Sequence, residues 1–352
     1  MFFIGLGTAL PATRYTQREC WVAFQQAEAF ARLDARGRAV LKKVLLGENG
    51  ITTRHLAVAD LALAFDLTPD TLHARFARHA PALAAQAAER ALRDAQTQPA
   101  DIDAVVISTC TGYLCPGLTS YVSERLGLRP DVLALDLVGQ GCGAALPNLR
   151  TAEALLASRR AQRVLSVCVE VCSAAFYLDN DPGVLVSACL FGDGAAAAVL
   201  SAKPGANSRR VEWTAAGTTL SPADRDYLRF EQKNGMLRNI LARQVPALAA
   251  KHAETVLTET LHRAAVPREQ ITGWILHAGG REVLAALRRR LNLSEAEVRH
   301  SAAVLRDHGN ISSPFVLFAL QAALAEAAPG GWWWLSSFGA GFSCHGALLR
   351  VE

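Results

Sequence analysis

No stretch of this chain pairs cysteines as CxxC. Its eight cysteines, Cys20, Cys110, Cys115, Cys142, Cys168, Cys172, Cys189 and Cys344, show neither zinc-ligand spacing nor a secreted disulfide framework. They read as reduced thiols, and no metal site is expected. No uninterrupted apolar run reaches membrane-spanning length, so no stable membrane insertion is expected. The apolar start Met1-Phe2-Phe3-Ile4-Gly5-Leu6-Gly7 lacks a basic leader and is broken by glycine and Pro11; it reads as a first strand, not a signal peptide, and a cytoplasmic location is expected. Low-complexity tracts are missing and only 14 prolines occur among 352 residues, which argues against long linkers and disorder. An excess of one charge is lacking too. The 36 basic and 32 acidic residues are interspersed for a net +4, which speaks against a nucleic-acid partner and leaves room for an anionic small molecule. What is present is 51% hydrophobic sequence, enough to bury one large core or two similar ones.

Those apolar residues repeat an order. Ala104 to Thr109 has a strand pattern, followed by a glycine-containing turn, a helix from Thr119 to Arg125, Leu126-Gly127-Leu128, a buried strand from Val132 to Val138 and a turn at Cys142. Later, Trp274 to Ala278 is a strand, Glu282 to Leu291 a helix ending in Leu291-Asn292-Leu293, and a turn at Gly309-Asn310 opens a helix from Ser313 to Ala327. Strands alternating with helices imply α/β layers, and the repeat implies two related halves, residues 1–205 and 206–352. Cys142 and Asn310 then stand at matching helix starts, where a pseudo-twofold fold brings both to one site.

The setting of Cys142 suits a nucleophile. In Gly139-Gln140-Gly141-Cys142-Gly143-Ala144-Ala145-Leu146, glycines flank the thiol and a small-residue helix follows. Free backbone N–H groups and the helix dipole there favour a thiolate. A buried structural cysteine is the alternative. His55, His73, His79, His252 and His262 lie in polar segments and read as solvated, whereas His277 ends an apolar strand before Ala278-Gly279-Gly280 and faces either a cavity or the core. Asn310 alone reads as an N-cap. Together, Cys142, His277 and Asn310 fit acyl transfer through a thioester: the imidazole helps ionise the thiol, then imidazole and carboxamide present N–H donors to an oxyanion. Cys-His-Asn also serves papain-like proteases, so the residue types leave the class open. Trp332-Trp333-Trp334 is expected to alternate between core and sheet face and carries no chemistry. Leu190-Phe191-Gly192-Asp193-Gly194 is a tight turn before a strand.

Gly139-Gln140-Gly141-Cys142, Trp274-Ile275-Leu276-His277-Ala278-Gly279-Gly280, Gly309-Asn310-Ile311-Ser312-Ser313, Phe338-Gly339-Ala340-Gly341 and the Phe191 turn, in this order along nearly the whole chain, resemble the signature stretches of type III polyketide synthases, the chalcone-synthase-like enzymes. The resemblance implies a thiolase fold, two pseudo-twofold βαβαβ-type halves in five αβαβα layers. It implies an acyltransferase in which Cys142 accepts a starter from acyl-CoA, while His277 and Asn310 stabilise the enolate left by decarboxylation of malonyl-CoA. No cofactor beyond these substrates is implied, and a homodimer is. Phe191 matches a gatekeeper between the coenzyme A tunnel and the reaction cavity. Cys110, Thr111, Cys172, Ala174, Ala175, Ser312, Phe338 and Gly339 match cavity-lining positions, and Cys115 matches a loop that reaches the partner's cavity.

Two departures stand out. Many relatives carry Gly-Phe-Gly-Pro-Gly where this chain has Ser337-Phe338-Gly339-Ala340-Gly341, and the positions of the family's phosphate-binding basic residues hold Leu41, Val44 and Glu48. The neighbouring Arg36, Arg38, Lys42, Lys43 and Arg54 are the basic side chains expected to serve coenzyme A instead, with a solvated basic face as the alternative. Small lining residues suit an alkyl chain, and the segments around residues 41–56 and 141–147 look most like bacterial enzymes that extend long-chain fatty acyl starters to alkylresorcinols or alkylpyrones. A ketoacyl-ACP synthase III of fatty acid synthesis shares fold and triad, but its histidine is normally followed by Gln-Ala-Asn. A non-catalytic acyl-binding subunit of the same fold is the reading from another class, against which the intact triad argues.

Overall fold

Strand-forming runs and alanine-rich helices alternate along the chain, and the computed structural model, which describes residues 1–206 and 209–352, assembles nine of the strands into one mixed sheet. Their order is Ile271–Leu276, Gly331–Gly339, Ser343–Val351, Val211–Leu220, Phe2–Ala9, Gly194–Ser201, Arg163–Glu170, Ala104–Ser108, Leu133–Leu137. The repeat read from the sequence is visible in this order. Outward from Phe2–Ala9 the neighbours are antiparallel, antiparallel, then parallel, and outward from Val211–Leu220 they follow the same rule. The two sets meet at an antiparallel seam formed by Phe2 with Glu212 and Phe3 with Val211.

Helices complete the layers. Ala145–Ala157 packs on Arg163–Glu170 and Ala104–Ser108 of the first set and on Ser343–Val351 and Gly331–Gly339 of the second; Phe315–Ala325 likewise touches strands of both. These two helices are the middle layer. Pro69–Asp94 and Leu118–Leu126 cover the outer face of the first set, and Val245–Ala264 that of the second. With both faces covered, strand residues of either parity are core: Gly194–Ser201 is buried at every position, and Trp333 and Trp334, on opposite faces, are both fully buried. His252, expected to be solvated, is buried for the same reason, on the inner face of Val245–Ala264 beside Phe342.

Two further readings of the sequence are corrected. The stretch Val132 to Val138 is not a buried strand. Leu133–Leu137 pairs only with Ala104–Ser108 at the sheet edge, which leaves Leu133 42% and Val138 58% exposed. Asn310 is not an N-cap, because Ser313 and Pro314 delay the helix, which begins at Phe315.

A small hairpin, Leu228–Lys233 with Met236–Leu241, turns through Asn234-Gly235, both at positive φ as such a tight turn requires. Arg238, its side chain only 12% exposed, bonds Asp179 at 2.8 Å, Glu231 at 2.9 Å and Asp181 at 3.3 Å. Asp181 also caps the helix Pro182–Leu190, so one cluster of charges ties the hairpin to that helix and roofs the site between them.

Candidate active site

Cys142 sits in the short turn Gly141–Gly143 just before the helix Ala145–Ala157. Gly141 takes φ +56°, the left-handed conformation that favours glycine. Against this turn lies the chain around Gly339, where an added Cβ would collide with the Gln140 carbonyl, and Ser337 Oγ donates to Gly143 O at 3.0 Å. The strand end Phe338-Gly339 and the nucleophile turn are therefore packed backbone to backbone.

From the other strand set, His277 follows Ile271–Leu276 and its N–H donates to Ser336 O at 2.9 Å. Its ring lies between Phe315 and Phe338, with centroids 5.1 and 5.0 Å away, and is 1% exposed. Neither ring nitrogen has a partner among the described residues. Burial lowers the imidazole pKa to about 3, so the ring is neutral at physiological pH. Asn310 is fixed at both ends of its amide: Oδ1 accepts from Ser312 N at 2.9 Å and Nδ2 donates to Gly279 O at 3.1 Å. One N–H of that amide stays uncommitted. Cys142, His277 and Asn310 line one cavity of about 720 Å³.

The pseudo-symmetric match holds in outline, but the residue that meets the nucleophile is Ser312, not Asn310. Ser312 Oγ donates to Cys142 Sγ at 3.2 Å. The resting thiol is not a thiolate. Burial pushes Cys142 up to about 12, with the Ser312 hydroxyl acting in the other direction and the Glu170 carboxyl adding to the rise. Desolvation outweighs the helix terminus on which the sequence reading relied.

Glu170 is the main residue that reading missed. It ends the apolar strand Arg163–Glu170, fully buried, and accepts from Ser313 Oγ at 2.6 Å, Thr111 Oγ1 at 2.9 Å and Cys110 N at 3.0 Å. Burial raises its pKa against the pull of these donors. The signal was available, since a glutamate closing Val-Leu-Ser-Val-Cys-Val needs partners wherever it lands.

A second, inner cavity shares Cys142 and Phe191 with the first, and Cys110, Thr111, Cys172, Ala175 and Ser312 line it as expected. Phe338 lines the outer one. Ala174, Cys115 and Gly339 line neither: Ala174 packs into the core beneath the first strand set, Cys115 is exposed, and Gly339 is spent on the nucleophile turn. The basic residues divide as well. Lys43 lines the outer cavity, but Arg36, Arg38 and Lys42 do not: Arg38 and Lys42 lie on other faces of the helix Ala35–Leu46, and Arg36, on the same face as Lys43, stands about two turns nearer the helix N-terminus. Arg54 is 1% exposed and donates to the Ala188 and Phe191 carbonyls, which places it inside the wall behind Phe191. Arg243 and Arg281, unremarked in the sequence, join Lys43 around the outer cavity, and Arg281 also contacts the Glu48 carbonyl.

Comparison with known proteins shows the family and the fold. The family described as FAE1/type III polyketide synthase-like protein matches residues 23–263, and the C-terminal domain of chalcone and stilbene synthases matches residues 214–351. The chain is 30% identical over 355 residues to a 3,5-dihydroxyphenylacetyl-CoA synthase of Streptomyces toyocaensis, covering 99% of this chain and 89% of that one. Its fold matches the crystal structure of PKS-I from the brown alga Ectocarpus siliculosus with a TM-score of 0.90 at 26% identity, over 99% of this chain and 97% of the other. It also matches the 1,3,6,8-tetrahydroxynaphthalene synthase of Streptomyces coelicolor, TM-score 0.89 at 24% identity, over 99% of each chain.

Proposed function

The chain belongs to the type III polyketide synthase family, and from that premise we propose that Cys142 carries the acyl chain while His277 and Asn310 form the oxyanion site for malonyl-CoA. The family is one of acyltransferases that work on coenzyme A thioesters and need no other cofactor. The observation that carries the assignment is the shared cavity, lined by His277 with two ring nitrogens unpaired among the described residues, by Asn310 with one free amide N–H and by the half-buried Cys142 thiol.

The steps follow from these groups. Neutral His277 takes the Cys142 proton as the thiol attacks the acyl-CoA carbonyl, and coenzyme A leaves as the thiol. Malonyl-CoA then binds with its thioester oxygen at the His277 and Asn310 N–H groups. Its C–C bond to the carboxylate breaks, CO2 departs, and the electron pair stays as an enolate held by those donors. The enolate carbon attacks the Cys142 thioester, a C–C bond forms, and the sulfur is released. Lys43, Arg243 and Arg281 suit the phosphates of coenzyme A at the outer cavity, and Phe191 stands as gatekeeper where the two cavities meet.

We assign a short starter. The free volume of the inner cavity is about 50 Å³, narrowed by Phe176, Tyr177 and Phe230. At roughly 10–15 Å³ per water-sized probe, it holds an acyl group of few heavy atoms. The name of the Streptomyces toyocaensis relative, a compact aromatic acyl-CoA synthase, points the same way. A long-chain fatty acyl starter closed to an alkylresorcinol or alkylpyrone is the competing reading, favoured by the apolar wall of Ala175, Val184, Ala188 and Leu228. Incubation with malonyl-CoA and starters from acetyl to stearoyl, with the Cys142 adduct read by mass spectrometry, separates them: preferred loading of stearoyl refutes the short-starter reading, and no adduct with any starter refutes the assignment of Cys142.

The apolar edge formed by Leu133, Val138 and Tyr121 suits a homodimer contact. A monomer in light scattering would contradict it. Among the described residues no helix is long and apolar enough to cross a membrane, and eight free cysteines fit a reducing compartment such as the cytoplasm.

A further inference from the structure

The roof hairpin supplies one side chain that the reaction above does not use. Along its strands side chains alternate between faces. Arg238 and Glu231 join on the outer side, whereas Leu228, Phe230, Asn239 and Leu241 line the cavities. Asn239 lies opposite Phe230 on the ladder and lines the inner cavity with Cys142. It is 8% exposed, and its carboxamide has no hydrogen bond among the described residues. Leu228, Phe230, Val184 and Ala188 beside it in the wall have apolar side chains. Its amide atoms are not sealed in the protein but open to the cavity, where a ligand oxygen can meet them.

We propose that Asn239 is a specificity-determining residue whose carboxamide binds the ketone or enol oxygen nearest Cys142 in the growing poly-β-keto chain, the part that the inner cavity can hold while the rest extends toward the larger cavity that Cys142 also lines. The inference rests on the reading that Cys142 carries that chain. The amide N–H donates to a ketone oxygen and the amide oxygen accepts from an enol hydroxyl, so either form of a β-diketone satisfies it. A saturated alkyl chain has no atom to offer. By fixing one oxygen in the roof, Asn239 sets which carbon of the chain faces the thioester, and so how the chain folds and where the ring closes.

The test replaces Asn239 by leucine, close in size but without donor or acceptor, and separately by aspartate, which keeps the shape but has no N–H. The full chain is assayed for the Cys142 adduct, for kcat and KM with malonyl-CoA, for products by mass spectrometry and for Tm. Both variants are expected to keep the adduct and KM, to lose about tenfold in kcat for the cyclised product, equivalent to roughly 1.4 kcal/mol, and to shift output to shorter products. The Tm of Asn239→Leu stays level, because the amide makes no protein hydrogen bond to lose and its neighbours Leu228, Phe230, Val184 and Ala188 are apolar. Unchanged products in both variants overturn the proposal, as does a fall in Tm accompanied by equal loss of adduct, which marks a purely structural residue. Absence of the adduct in the unaltered enzyme overturns the reading of Cys142 itself, so the two failures are distinct.

Discussion

Replacing Ser312 by alanine tests how the nucleophile is governed. Ser312 Oγ donates to Cys142 Sγ at 3.2 Å, and it is the principal influence holding the thiol pKa down against burial. A hydrogen bond to a charged group contributes roughly 1.5–3 kcal/mol, or about one to two pKa units. Ser312→Ala therefore raises the pKa of a thiol already near 12, and at fixed pH near neutrality the thiolate fraction falls about ten- to a hundredfold. Glu170→Gln acts with the opposite sign, since the Glu170 carboxyl raises the Cys142 pKa. The isosteric amide keeps its oxygen toward Cys110 N and Thr111 Oγ1 and turns its NH2 toward the Ser313 and Ser312 hydroxyls, so the network survives the loss of charge. The assay is the rate of iodoacetamide alkylation at the Cys142 peptide as a function of pH, read by mass spectrometry. Slower alkylation of Ser312→Ala and faster alkylation of Glu170→Gln are expected. Equal shifts of the same sign would refute the reasoning.

Three further outcomes are expected. Asn310→Ala removes one oxyanion donor and lowers malonyl-CoA decarboxylation by about 10²–10³, while acyl loading of Cys142 persists; decarboxylation within tenfold of the parent contradicts the assignment. Acid destabilises the fold: His277 and His345 are held neutral by burial with pKa values of about 3 and about 4, so below the ordinary value of 6.5 the unfolded chain binds more protons. Between about pH 7.5 and about pH 5 each costs on the order of 2 kcal/mol, and urea titrations showing equal stability at both pH values would disprove this. Gly346→Ala drives a methyl into the ring of Trp334, fully buried beside it, and costs about 1–3 kcal/mol in thermal unfolding; an unchanged Tm would show that the sheet yields there.

The residues proposed for catalysis were legible because such chemistry imposes local signatures. Glycines mark the turn at Cys142, small residues follow His277, and Asn310 sits between Gly309 and Ile311 at a turn. The strand order repeats as the sequence does. What sequence could not show was which neighbour covers which face. Leu133 and Val138 look like core in one dimension and lie at an edge in three. Arg54 looks like a surface cation, yet two main-chain carbonyls draw its guanidinium inside. Ala174 and Ala175 are adjacent and equally small, but only Ala175 faces the inner cavity. Arg243 and Arg281 come from distant segments, so nothing local groups them with Lys43.

The seam between the two strand sets has a consequence for the order of synthesis. Cys142 belongs to the set built first, whereas His277, Asn310 and Ser312 all arrive with the second. A nascent chain that has reached its middle therefore carries the thiol without the hydroxyl, imidazole or amide that would arm it. The cavity that Cys142 shares with His277 and Asn310 is thus closed around the thiol only when the second strand set has docked on the first.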